Sequence, residues 1–254
     1  RRNARTKHRR FLVEGPQGVR EAVRHAPGRV LDVYLTEEAL ERHSEIWDEA
    51  VAAGLYVHVT TQQVMDAMSP DAQGLLAVVA TEEATGSEAL AAALEGARLV
   101  AVLTQAQDPG NAGTIIRAAD AAGADAVVLV RGSVDPTAPK VVRSTAGSLF
   151  HLPVVTGVAL DDAVTALHNA GLTVLAADGR GDFDLFEAES LLEAPSAWLL
   201  GNEAHGLPSE ALIRADAVVS IPIYGKAESL NVAAAAAVCL YASARAQAQN
   251  SGRS

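Results

Sequence analysis

The second half of the chain alternates short, almost uninterrupted apolar segments with segments of helical character. The apolar segments are 99–103, 126–130, 197–201 and 217–221. A strand that is apolar at nearly every position is buried on both faces, and intervening helices can supply the cover. The pattern therefore predicts an α/β domain with a mostly parallel sheet, running from residue 98 to residue 254.

Residues 11–82 alternate in the same way on a smaller scale and predict a compact α/β unit of about 70 residues. Its predicted strands are 31–35, 55–59 and 75–80, and its predicted helices are 16–24, 37–52 and 62–68. Residues 83–97 are rich in Glu, Ala, Ser and Gly and predict a partly helical linker. The chain is thus expected to consist of a basic arm at 1–10, a small domain, a linker and a larger domain.

Composition limits the class of protein. The chain of 254 residues is long enough for two domains. Its single cysteine, Cys239, excludes an internal disulfide and a cysteine-based zinc site, and it fits a reducing compartment. No apolar run reaches the roughly 18 residues of a membrane span, and no signal peptide is recognisable. A cytoplasmic protein with no membrane partner is expected.

Charge is distributed unevenly along the chain. The net charge of -11 argues against binding nucleic acid over the whole surface, yet the first ten residues hold six of the 20 lysines and arginines and no acid. A phosphate-binding tail and a solubilising disordered terminus both fit such an arm.

Two polar loops that contain glycine, at 201–208 and 222–231, are each preceded by an apolar run. A third loop follows Leu103. Ligands in open α/β sheets bind beyond the carboxyl ends of the strands, so the three loops are expected to converge there. The sequence predicts a small-molecule site walled largely by backbone groups.

The familiar nucleotide-binding, hydrolase and metal motifs are absent from the sequence. It contains no dinucleotide fingerprint, no Walker A loop and no G-x-S-x-G elbow, and residues 179–181 are interpreted as a simple turn. The seven histidines are scattered without metal-ligand spacing, so no metal is predicted. Among them only His205 falls in a candidate loop.

Three segments carry a resemblance to a known family. In order, residues 108–123, 200–208 and 221–233 resemble motifs 1, 2 and 3 of the SpoU/TrmH family of RNA ribose 2′-O-methyltransferases, of the SPOUT class. Residues 11–15 and 73–77 are similar to markers of that family's L30e-like substrate-binding domain. Three ordered motifs are far more specific than one, and the one departure noted is Ala204, where the family often has glycine.

The resemblance implies features that spacing alone does not give. These are a deep trefoil knot, a homodimer with the site at the subunit interface, and S-adenosylmethionine as the methyl donor. The cofactor would be held largely by backbone. The positions implied for it are Thr104, Gly201, Asn202, Ile221 and Leu230.

The resemblance also implies a catalytic set of Asn111, Arg117, Glu203, Ser229 and Asn231. Arg117 is assigned to the substrate phosphate and the 2′-oxygen and not to proton removal, because a guanidinium stays protonated in proteins. Asn231 would orient the substrate or a catalytic neighbour, and Ser229 and Glu203 would support the loops. The plain alternatives are an ordinary exposed arginine and helix caps.

The predicted activity is methylation of a ribose 2′-hydroxyl in RNA. Ribosomal 23S RNA is favoured, because the members of the family that act on transfer RNA typically lack the N-terminal domain. The residues predicted to contact RNA are Arg5, Lys7, Arg9, Arg10 and Arg143. A transfer-RNA 2′-O-methyltransferase and a non-catalytic RNA-binding or ribosome-assembly factor remain alternatives. The sequence does not separate an antibiotic-resistance methylase from a housekeeping enzyme.

Overall fold

The computed structural model describes residues 2–82, 84–202 and 206–251. Its strands are β1 Arg10–Glu14, β2 Val30–Thr36, β3 Val57–Thr60, β4 Leu75–Ala80, β5 Leu99–Leu103, β6 Ala126–Leu129, β7 Val154–Val155, β8 Thr173–Ala177, β9 Phe183–Asp184, β10 Ser196–Leu200 and β11 Ala217–Ser220. Its helices are α1 Arg2–His8, α2 Pro16–His25, α3 Glu37–Arg42, α4 Ser44–Ala52, α5 Gln62–Met68, α6 Gly86–Ala93, α7 Pro109–Ala121, α8 Pro139–Ser144, α9 Leu160–Asn169, α10 Glu189–Glu193, α11 Ser209–Arg214 and α12 Val232–Ser251.

The chain divides into two compact units. The first unit consists of Arg1–Glu83 and Asp135–His151, and the second of Ala84–Val134 and Leu152–Ser254. This division differs from the predicted one, in which residues 98–254 were continuous. The segment 135–151 groups with the first unit because Val142 and Phe150 are buried in that unit's core.

The first unit contains a four-stranded sheet in the order β1-β4-β2-β3. Strand β4 pairs antiparallel with β1 and with β2, and β3 is parallel to β2. The predicted helix 37–52 is in fact two helices, α3 and α4. His43 leaves the helical conformation with φ -133° and ψ 44°, and this residue ends α3 before α4 begins. The predicted arm at 1–10 contains helix α1, so the interpretation as a disordered terminus is wrong for the described residues.

The second unit contains a seven-stranded sheet in the order β7-β6-β5-β10-β8-β11-β9. Every pair of neighbouring strands is parallel. Strands β5, β6 and β10 are buried at every position, as their apolar sequences predicted. The predicted α/β class with a mostly parallel sheet is thus confirmed. Because β8 lies between β10 and β11, the carboxyl ends of these three strands are adjacent.

Helix α12 packs against α7, α10, β10 and β5. Trp198 on β10 is completely buried, and its Nε1 donates to Ser243 Oγ on α12 at 2.9 Å. Cys239 also lies on the buried side of α12, where burial raises the pKa of its thiol to about 12. This cysteine is therefore an inert core residue at neutral pH.

The segment predicted as a linker, 83–97, contains helix α6, with Leu90 and Leu94 in the core of the second unit. Short elements such as β9 and α10 were not predicted, since each has too few residues to show a hydrophobic period. Within the described ranges, no helix combines the length and the apolar character needed to cross a membrane.

Candidate functional site

A cavity of about 490 Å³ lies at the carboxyl ends of β8, β10 and β11. Six predicted site residues line it: Gly201, Asn202, Ile221, Ser229, Leu230 and Asn231. The other lining residues are Ala177, Asp178, Gly179, Gly206, Val219, Ile223, Glu228, Val232 and Ala235. The two polar loops of the sequence therefore form one site, as the sheet topology predicted.

The loop after β10 is closed by its own backbone. Asn202 N–H donates to Gly206 O and Gly206 N–H donates to Asn202 O, both at 2.9 Å. Gly206 has φ +67°, and a Cβ on Gly201 would lie 2.7 Å from the backbone nitrogen of Leu207. Both positions therefore favour glycine, the first for its conformation and the second for its close packing. Glu203, Ala204 and His205, which the sequence analysis singled out, lie outside the described residues.

The loop after β5 supports this wall from behind. Thr104 is buried, and both its N–H and its Oγ1 donate to Leu200 O at 2.9 Å. Asn202 Nδ2 donates to Gln105 O at 2.9 Å. Thr104 is thus adjacent to the predicted cofactor residues but does not line the cavity.

A bond between two asparagines joins the first and third motifs. Asn231 Nδ2 donates to Asn111 Oδ1 at 3.2 Å, while Asn231 Oδ1 accepts from Ala233 N–H at 2.9 Å. Asn111 itself lies in the first turn of α7, where Asp108 Oδ1 accepts from its N–H at 2.7 Å. Asn231 therefore caps α12 and holds Asn111 through different atoms of one side chain, so the capping alternative and the positioning role are compatible.

Arg117 lies on the exposed face of α7, as the helix pattern predicted, with Ile115 and Ala119 on the buried face. It is six residues, or about 9 Å along the helix axis, beyond Asn111. It does not line the cavity, and within the described part of the chain it has no hydrogen bond or ion pair. Its guanidinium is exposed for contact with another molecule.

The turn after β8 is a wall of the cavity that the sequence analysis missed. Asp178 and Gly179 line the cavity, and Arg180 donates to Asp178 from Nε at 3.0 Å. The hydrogen bonds from Arg180 outweigh partial burial and lower the pKa of Asp178 from its ordinary value. The missed signal is that these polar residues directly follow the apolar segment that forms β8, whose carboxyl end lies at the same edge of the sheet.

The residues predicted to contact RNA lie in the first unit and differ in their surroundings. Arg5 pairs with Asp135 at 2.7 Å, and Arg143 pairs with Glu14 and, at 3.0 Å, with Asp71. Burial raises the pKa of Asp135, but the bonds from Arg5 and Thr137 prevail and lower it overall. Lys7, Arg9 and Arg10 are exposed, so they are the most accessible cations of the set.

Both units match known protein families. Residues 98–241 match the SpoU rRNA Methylase family, and residues 12–85 match the family described as RNA 2'-O ribose methyltransferase substrate binding. The chain is 36% identical to the 23S rRNA (guanosine(2553)-2'-O)-methyltransferase RlmP of Bacillus subtilis, over 93% of this chain and 89% of that protein.

Solved structures resemble the fold over nearly the whole chain or over part of it. The SpoU methyltransferase AviRb of Streptomyces viridochromogenes in complex with the cofactor AdoMet superposes with a TM-score of 0.82 and 31% identity, covering 98% of this chain and 95% of that one. A structure described as giving insights into the 2-OH methylation of C/U34 on tRNA has a TM-score of 0.53 and 32% identity. It covers 59% of this chain and 96% of its own.

Proposed function

The chain belongs to the SpoU rRNA Methylase family, and from this premise we propose that it transfers a methyl group from S-adenosylmethionine to a ribose 2′-hydroxyl of 23S ribosomal RNA. The observation that carries the proposal is the single cavity formed by the second and third motifs, which Asn231 links to the first. The named 23S rRNA relative aligns with both units, whereas the structure concerned with tRNA covers only 59% of the chain. This difference favours ribosomal over transfer RNA.

The cavity suits the cofactor in size and chemistry. Its volume of about 490 Å³ falls within the range of roughly 300–1,000 Å³ that small-molecule sites occupy. Ile221, Leu230 and Val232 offer apolar surface to an adenine ring. Asp178 and Glu228 contribute carboxylates to the wall, which complement a ligand that carries a positive sulfonium and an ammonium group.

When bound, S-adenosylmethionine supplies a methyl group on a positively charged sulfur, so that transfer forms an O–C bond as the S–C bond breaks. The chain's residues must hold the ribose hydroxyl in line with that methyl group, and such positioning supplies much of the acceleration. We assign Arg117 to the adjacent phosphate and the 2′-oxygen. The hydroxyl proton passes to a base other than Arg117, because a guanidinium is always protonated.

Asn231 positions the acceptor side of the site. Its amide fixes Asn111 at the start of α7, on the same helix as Arg117. Ser229 is exposed at the cavity wall, where it can orient the incoming ribose. For Glu203 we keep the role that the resemblance implies, which is to support the loop after β10.

We extend the proposal to the assembly and its setting. A homodimer would place the exposed Arg117 of one subunit at the site of the other, and a trefoil knot would enclose the cofactor loops. Lys7, Arg9, Arg10 and Arg143 would contact RNA phosphates, and Arg5 would order helix α1 through Asp135. A substrate in ribosomal RNA supports the cytoplasm as the place of action.

Methyl transfer to RNA tests the proposal directly. The purified protein is incubated with isotopically labelled S-adenosylmethionine and with RNA from a strain in which its gene is deleted. The 23S and transfer-RNA fractions are then digested and analysed by mass spectrometry. We expect a single ribose-methylated nucleotide in the 23S fraction. Label confined to transfer RNA would overturn the choice of substrate, and absence of label from both fractions would overturn the activity.

A further inference from the structure

Three potential metal ligands meet in the first unit, away from the cavity. Glu21 and His25 lie on α2, and His151 follows the short 3₁₀ helix Ser148–Phe150. His151 Nε2 lies 2.7 Å and His25 Nε2 lies 3.2 Å from the same oxygen, Glu21 Oε2. The three ligand atoms all lie within 4.8 Å of one another. No metal was predicted from the sequence, because His25 and His151 are far apart in the chain.

The surrounding backbone holds this cluster, here called the Glu21 cluster, in place. Glu21 and His25 are four residues apart and so share one face of α2. Gly147 has φ +96°, and a Cβ there would lie 2.6 Å from Glu21 Cβ, so the turn before His151 packs directly on Glu21. The two histidine rings meet edge to face with their centroids 4.5 Å apart.

The neighbouring charges leave Glu21 available to the histidines. Arg20 pairs with Glu45 at 3.0 Å, and Arg24 pairs with Glu49 at 2.7 Å, both across to α4. The hydrogen bond that Arg24 donates to Glu49 raises the pKa of Arg24. The basic side chains next to Glu21 on α2 are therefore engaged elsewhere.

Two imidazole nitrogens and one carboxylate oxygen form a donor set typical of zinc sites with a water as fourth ligand. Tetrahedral bonds of about 2.0–2.1 Å place neighbouring ligand atoms ~3.3 Å apart. His25 Nε2 already lies 3.2 Å from Glu21 Oε2, whereas His151 Nε2 is hydrogen-bonded to that oxygen at 2.7 Å and would move outwards by roughly 0.6 Å to admit the ion. His25 has 49% of its side chain exposed, which leaves room for the water.

We propose that the Glu21 cluster binds Zn²⁺ and thereby fastens the turn at Ser148–His151 to helix α2. The site is independent of methyl transfer, because its residues belong to the first unit and none of them lines the cavity. Metal-bound histidines on two separate segments would tie the excursion 135–151 to the unit in which it packs.

The test is a zinc titration of the untagged, metal-free full-length protein, followed by calorimetry and by thermal unfolding. We expect one equivalent to bind and the Tm to rise with the logarithm of zinc concentration. In His25→Asn and His151→Asn the dissociation constant should rise at least ~100-fold, since even outer-shell changes cost 10–100-fold. His25 is half-exposed, so H25N is expected to fold, and circular dichroism verifies this.

A matched control is His168→Asn. His168 pairs with Asp216 at 3.0 Å and has no third ligand among the described residues, so this variant should bind zinc like the parent protein. Unchanged zinc affinity in folded H25N would overturn the proposal, as would the lack of any zinc-dependent rise in Tm in the parent. A tetrahedral visible spectrum with Co²⁺ that disappears in H25N would support it independently.

Discussion

The two sides of the candidate site differ in how far a single chain completes them. On the cofactor side, the loop after β10 is closed by two backbone bonds of 2.9 Å, and Asn202 is tied to the loop after β5. On the acceptor side, Arg117 is exposed and has no partner in the described part of the chain. A preformed pocket is suited to a small molecule that is the same in every turnover. An exposed arginine is suited to a second macromolecule that brings the negative charge.

Asn231 stands at the junction of these two sides. One atom of its amide caps α12, and another reaches Asn111 on the helix that carries Arg117. The contrast therefore predicts separable effects: changes on the acceptor side alter turnover, changes on the cofactor side alter affinity for S-adenosylmethionine, and changes at the junction alter stability together with turnover.

The largest effect is expected from Arg117→Ala. Removing one charged donor from a reacting centre typically costs 10²–10³ in rate, and we expect a loss of about 10³-fold in kcat/KM. Affinity for S-adenosylmethionine should stay within about twofold, because Arg117 does not line the cavity. Steady-state methylation and calorimetry with the cofactor measure the two quantities.

The matched control is Arg131→Ala, which removes another exposed arginine of the second unit. Among the described residues, its one side-chain hydrogen bond goes to Gly157 O at 3.2 Å. It should retain turnover. If R117A instead lost cofactor binding, the division into two sides would be wrong, and Arg117 would belong to the cofactor pocket.

The next largest effect is expected from Gly201→Ala, on the cofactor side. The added methyl would lie 2.7 Å from the Leu207 nitrogen and would push the backbone of Gly206 and Leu207 away from Gly201. Overpacking of this kind costs about 1–3 kcal/mol, so we expect S-adenosylmethionine to bind about 30-fold more weakly. Calorimetry of the cofactor provides the measurement.

Gly28→Ala provides the comparison, because nothing lies within 4 Å of a Cβ at that position and its φ is not in the left-handed region. This variant should bind cofactor normally. Normal cofactor affinity in G201A would show that the loop after β10 is not the wall that we propose.

The same contrast explains what the sequence could and could not predict. The parallel sheet was predictable because β5 and β6 are apolar throughout and β10 is apolar at every position except Ser196, and this pattern requires burial on both faces. The convergence of the loops after β10 and β11 was predictable from topology. The part played by Asp178 was not recognised, because its turn was interpreted alone, without the strand order that places β8 between β10 and β11.

Contacts between distant segments were the least predictable. No local pattern shows that residues 135–151 leave the second unit, or that His151 meets Glu21. The break between α3 and α4 was also missed, since residues on both sides of His43 are good helix formers and the helical period continues across it.

The smallest effect is expected at the junction, and it distinguishes the two tasks of Asn231. Asn231→Ala removes both the cap of α12 and the bond to Asn111, and loss of such a cap costs about 1 kcal/mol of unfolding free energy. Asn231→Asp keeps an oxygen for Ala233 N–H but loses the amide donor to Asn111. Denaturant unfolding should therefore find N231D nearly as stable as the parent protein and N231A less stable.

If Asn231 positions the acceptor side, kcat should fall by at least about tenfold in both variants, with cofactor affinity largely kept. Full turnover in N231D would show that Asn231 acts only as a helix cap. The distinction between the acceptor side and the cofactor side would then depend on Arg117 alone.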